Sequence, residues 1–213
     1  MSDRAVLQSG VLLAAAAAAA WAGLLVLGDE MPMGAGLWLG AWTVMMAAMM
    51  LPSASPLVLL YARASSLSRT GLLTSGYLLT WAGVGVAAYL LDMRLPDPSD
   101  AAVASVLVGA GIYQFTPLKH ACLKHCRRPA DFLMTRWRAG HVGAFRLGLE
   151  HGAFCIGCCW ALMAVLVVAG AMGLTWVVAI ALAIAAEKLL PAGPLLGRLG
   201  GVALIVAGIV VAL

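Results

Sequence analysis

Charge is what this chain has least of. Only 10% of its 213 residues are Asp, Glu, Lys or Arg, where a soluble globular domain carries about a quarter. It has no Gly-rich phosphate loop of the kind that opens a nucleotide site, so an ATP-driven engine is not expected. It has no internal repeat and no nucleic-acid-recognition module, and its basic residues are not gathered into a recognition patch, so nucleic acid is not an expected partner. What fills the chain instead is apolar: 63% of residues are hydrophobic, and the mean hydropathy is +1.00. The composition points to a polytopic, all-α transmembrane bundle.

A membrane helix needs about 20 mostly apolar residues. Seven segments qualify, at about 8–28, 36–61, 71–91, 101–118, 147–170, 172–190 and 197–213. They form a single transmembrane domain over residues 1–213, with one sizeable loop at 119–146. The first segment also has the look of a signal peptide, with Ala20-Trp21-Ala22 as a small-residue cleavage site. Its removal would leave six helices without altering the orientation of the rest.

Twelve of the thirteen basic residues fall on one side of this arrangement: Arg4, Arg63, Arg69, Lys119, Lys124, Arg127, Arg128, Arg136, Arg138, Arg146, Lys188 and Arg198. Only Arg94, among Asp92, Asp97 and Asp100, lies on the other. The positive-inside rule then places the N-terminus in the cytoplasm. All five cysteines fall in the cytoplasmic loop or the inner half to middle of the bilayer, where a reducing cytosol keeps thiols free. The loop 119–146 is basic with Phe132, Trp137 and Phe145 interspersed, as expected of a segment lying on anionic lipid. Pro52 and Pro56 are expected to kink the second helix, and Pro117 to interrupt the fourth. Gly193, Gly197 and Gly201 recur every four residues at the start of the last helix, a spacing that lets helices approach closely.

The chemistry gathers at "EHGAFCIGCCW", residues 150–160. On a helix His151, Cys155, Cys158 and Cys159 share an arc of roughly 100°. A lone buried cysteine is ordinary packing; three within five residues, four after a membrane histidine, read better as a ligand set. Met45, Met46, Met49 and Met50 lie on the second helix within an arc of about 140°, at a similar depth to Cys158 and Cys159. Methionine is also common core filler, and the depth match is what gives these four a second reading. Thiolate and thioether together favour Cu(I) over harder ions; zinc accepts the thiolates and imidazole but rarely a thioether.

A second group, "KHACLKHCRRP", puts Cys122 and Cys126 one helical turn apart at the cytoplasmic mouth. There they suit a two-thiolate Cu(I) relay, with His125 as a supporting residue. Two free cytosolic thiols are the plainer reading. Glu187 and Lys188, at the inner end of the sixth helix, read as an interfacial pair whose lysine snorkels. Glu187 is also a candidate partner for His151.

Four ordered motifs, "MMAAMMLPS", "YQFTPLKHACLKHCRRP", "EHGAFCIGCCWALM" and "EKLLP", resemble a bacterial family of predicted metal-binding integral membrane proteins built on a domain of unknown function. The resemblance covers about residues 36 to 191. It implies metal binding, and it adds Pro52, Gln114, Pro117, Lys119, Gly152 and Trp160 to the motif residues above. Gly173 stands where the family often has Asn.

The expectation is a multi-pass protein of the bacterial inner membrane. It binds Cu(I) through His151, Cys155, Cys158 and Cys159, with Met45, Met46, Met49 and Met50 nearby and Cys122 and Cys126 as a relay. Its task is copper transfer, transport or metalloprotein assembly, with a soluble metal carrier or recipient metalloprotein as partner. The alternative is an enzyme, a membrane thiol–disulfide oxidoreductase using the C-x-x-C pair Cys155 and Cys158. The absence of any cysteine from the outer loops argues against it.

Overall fold

The structure is a computed structural model that describes residues 3–27, 34–94, 98–169 and 173–213. The acidic turn at Asp29 and Glu30, Asp97, and the start of the sixth expected span at 172 lie outside these residues. Among the described residues there are nine helices and no strand: α1 (Asp3–Leu27), α2 (Ala35–Ala64), α3 (Leu67–Asp92), α4 (Asp100–Tyr113), α5 (Pro117–Arg127), α6 (Pro129–Arg136), α7 (Gly140–Val168), α8 (Leu174–Leu189) and α9 (Gly193–Ala212).

Five of these are long and apolar enough to cross a membrane: α1, α2, α3, α7 and α9. A sixth span results if α4 and α5, bent by 65° at their junction, are taken together. Seven full spans were expected, and two segments account for the difference. The fourth is a broken helix, and the region 172–190 forms a helix of only 16 residues, short of the ~20 that cross a bilayer.

The break between α4 and α5 is local chemistry. Thr116 is extended (φ −73°, ψ 145°), and its hydroxyl accepts from the Lys119 amide at 3.3 Å. Pro117 then occupies the first helical position, where its missing N–H costs nothing. The basic region read as a loop is thus mostly helical. Pro129 opens α6 in the same way, after Arg128 leaves helical geometry at φ −121° and ψ 69°. The next helix starts at Gly140, seven residues before the expected 147.

In α2 the chain stays helical through both prolines. Pro56 cannot donate to the Pro52 carbonyl, and the Ser55 hydroxyl takes that acceptor at 2.8 Å. Glycines set the closest helix contacts. A Cβ on Gly111 of α4 would meet the Gly201 carbonyl of α9 at 2.6 Å, and one on Gly152 of α7 would meet the Thr80 hydroxyl of α3 at 2.6 Å. The buried core runs through α2, α3, α7 and α8, and it contains Met45, Met46, Met49 and Met50 together with Cys126, Cys155, Cys158 and Cys159.

A buried thiol cluster and its partners

The centre of the site is one face of α7. Cys155, Cys158 and Cys159 are all buried, and their sulfurs lie within 4.8 Å of one another. The helix itself gathers them. The thiols of Cys158 and Cys159 both donate to the Cys155 carbonyl, at 3.1 and 3.0 Å. A metal–thiolate bond is about 2.3 Å, so two sulfurs on one ion stand at most about 4.6 Å apart. The cluster has the dimensions of a coordination site.

A fourth sulfur arrives from α5. Cys126 is buried, with its Sγ 3.9 Å from that of Cys158. Cys122, half-buried, sits one turn earlier with its sulfur against the backbone of Gly157, where a Cβ would approach it to 2.5 Å. The two cysteines expected to form a separate relay therefore differ: Cys126 has joined the α7 cluster, and Cys122 lies outside it. All five are free thiols.

Three side chains converge on Cys155. The Tyr77 hydroxyl of α3 is 3.1 Å from its sulfur. Lys188 of α8 donates its ammonium to the same sulfur at 2.9 Å and to the Ser53 hydroxyl of α2 at 3.3 Å. Lys188 is only 6% exposed, so the expected snorkelling pair is not what forms. Tyr77 was missed because α3 reads as a bland apolar helix. The signal was a tyrosine at its middle, since a buried phenol needs a polar partner. For Lys188 the signal was the rule that an ionisable residue among apolar helices is functional by default.

His151 is buried one turn before Cys155, between the rings of Tyr77 and Phe132 at centroid distances of 5.7 and 5.2 Å. Its Nδ1 has no hydrogen-bond partner among the described residues. It does not belong to the group of three sulfurs. Glu187, expected beside His151, instead pairs with the Lys119 ammonium at 2.6 Å, and Lys119 also donates to the Gln114 side chain. His125 stacks on Phe154 at 4.1 Å, with its Nδ1 on the Ala121 carbonyl. The four methionines of α2 are fully buried.

A roomier cavity, about 700 Å³, opens between α2, α3, α4 and α7, lined by Trp42, Trp81, Trp160 and Met163 among apolar neighbours. It offers no comparable donor set, so the metal chemistry resides in the tighter thiol cluster.

No curated protein and no solved structure matches the chain. A family model does: that of PpoB2, described as a copper chaperone, matches residues 39–211. This stretch runs from α2 to the end of α9 and takes in the cysteines of α5 and α7 as well as Lys188, and by this match the chain belongs to the PpoB2 copper chaperone family.

Proposed function

We propose that the protein is a membrane-embedded Cu(I) chaperone that takes the ion into the thiol cluster of α7 and passes it on by sulfur-to-sulfur exchange. The observation that carries this reading is the group of three buried sulfurs within 4.8 Å, with a fourth at 3.9 Å from Cys158. Four soft donors in an apolar core suit a soft monovalent ion, whereas calcium and magnesium need oxygen ligands. Cys155, Cys158 and Cys159 are the main ligands, and Cys126 is the fourth. Cys122, half-buried, is the entrance. The unpaired Nδ1 of His151 and the thioethers of Met45, Met46, Met49 and Met50 are neutral donors on either side.

In this reading the bundle spans the bacterial inner membrane with its N-terminus in the cytoplasm. The α5–α6 elbow then lies at the cytoplasmic face, where a soluble carrier or a recipient metalloprotein exchanges the ion. Each exchange step forms one copper–sulfur bond before another breaks, so no sulfur changes oxidation state and no redox partner is required.

The test is copper retention by purified protein under reductant, with X-ray absorption to identify the ligands. Wild type is expected to retain Cu(I) on mostly sulfur ligands, and the triple variant Cys155→Ser, Cys158→Ser, Cys159→Ser to lose it. Replacing the four methionines by leucine should cost less than about 1.5 kcal/mol of stability per site, yet weaken copper binding or transfer. Full copper retention by the folded triple serine variant, or resident zinc that copper cannot displace, overturns the reading. Thiol–disulfide turnover that survives the leucine variant unchanged would favour the oxidoreductase.

A further inference from the structure

Lys188 is a buried ammonium with no carboxylate on it. The neighbouring acid, Glu187, is committed to Lys119 at 2.6 Å. The printed partners of the Lys188 Nζ are the Cys155 sulfur on α7 and the Ser53 hydroxyl on α2; Tyr77 reaches the same sulfur from α3. A charge in such surroundings persists only when a nearby opposite charge offsets it.

A metal–thiolate centre provides that offset, and its size can be counted. Cu(I) held by two thiolates carries one negative charge, which a single ammonium cancels. Three thiolates on one Cu(I) would leave the buried centre with a net negative charge, and so would two coppers sharing four thiolates. We propose that Lys188 is the counter-cation of the copper centre. It limits the protein to one Cu(I) at a time, held by two thiolates, and leaves the remaining sulfurs of Cys126, Cys155, Cys158 and Cys159 as incoming ligands for exchange.

This rests on the copper reading above and deepens it. Lys188 is a positioning residue: it need not touch the metal, and its ammonium sets how much negative charge the sulfur cluster can hold. A chaperone benefits from that limit. An ion held by two of four available sulfurs can be passed along the cluster, whereas one held by all of them is trapped.

The experiment compares wild type with Lys188→Met and Lys188→Arg, loaded with Cu(I) under reductant. Wild type should bind one copper per chain by native mass spectrometry, with two thiolate sulfurs in X-ray absorption. Lys188→Met should weaken Cu(I) binding about tenfold or more in chelator competition, since two unit charges a few ångströms apart in a protein interact by kcal/mol. Lys188→Arg should restore binding to within about threefold. A purely structural role would lower affinity only in step with thermal stability, so the melting temperature of each apo-protein is read alongside. If Lys188→Met does not fold, Lys188→Gln, which keeps a polar tip for Ser53 and Cys155, should show the same loss of affinity. Two or more coppers per wild-type chain, or a folded neutral variant that binds copper as wild type does, would overturn the proposal. Failure of wild type to bind copper at all would instead defeat the reading on which it rests.

Discussion

Removing one member of the Lys119–Glu187 pair should be among the most damaging single changes in the protein, and removing both should be far milder. The two side chains are 2% and 7% exposed and their charged atoms are 2.6 Å apart. At an effective dielectric near 20 that separation corresponds to about 6 kcal/mol of gross attraction, most of which desolvation takes back. Lys119→Met leaves a carboxylate in the interior without its cation and removes the donor to Gln114. Glu187→Leu leaves an ammonium without its anion. Each single change should therefore cost about 3–5 kcal/mol. The double variant removes both charges and adds apolar volume, and should lie within about 1–2 kcal/mol of wild type, the residue being the stranded Gln114. Equilibrium unfolding of all four proteins in one detergent gives the coupling energy directly, expected at about 2 kcal/mol or more. Costs that simply add would refute the reasoning, because the pair would then be two independent groups and not a buried ion pair tying α5 to α8. The pair also bears on copper. If it holds the elbow in place, Lys119→Met should weaken the approach of Cys126 to Cys158, and mild oxidation should cross-link those two cysteines less readily than in wild type.

Two other outcomes test the arrangement. With single cysteines in a cysteine-free background, an impermeant reagent applied to intact cells should label position 99 and leave positions 66 and 135 untouched; the opposite pattern overturns the proposed orientation. Gly157→Ala places a methyl 2.5 Å from the Cys122 sulfur and should destabilise the protein by about 1–3 kcal/mol. Adding Cys122→Ala should recover most of that loss, and an unchanged melting temperature in Gly157→Ala alone would show that α5 does not pack against α7 as described.

The face of α7 was legible because helical periodicity is a local property: residues four apart meet wherever the helix goes. The same holds for the close contacts of Gly201 with α4. The fourth sulfur was not legible in this way. Whether Cys126 forms a pair with Cys122 or joins Cys158 depends on the direction of α5, which a threonine cap, Pro117 and packing on α7 decide together. Hydropathy windows counted 101–118 as one straight span for the same reason, since a window averages across a bend. They also read the inner end of α8 as a membrane edge, where a lysine finds water. Tertiary packing overrode that expectation, as α2, α3 and α7 enclose Lys188 and give its ammonium a sulfur and a hydroxyl in place of solvent.

Arg127 reaches from the last turn of α5 to the carbonyls of Glu187, Leu190 and Pro191, acceptors that the end of α8 leaves without helical partners. It thereby fixes how far α8 is rotated about its own axis at the turn that carries both Glu187 and Lys188. Successive residues on a helix point about 100° apart, and here one of the two faces Lys119 while the next faces Cys155. A modest unwinding of that turn would change which of them looks toward the sulfurs, and the two carry opposite charge. The sign of the electric field at the thiol cluster is thus settled by a guanidinium that never touches it.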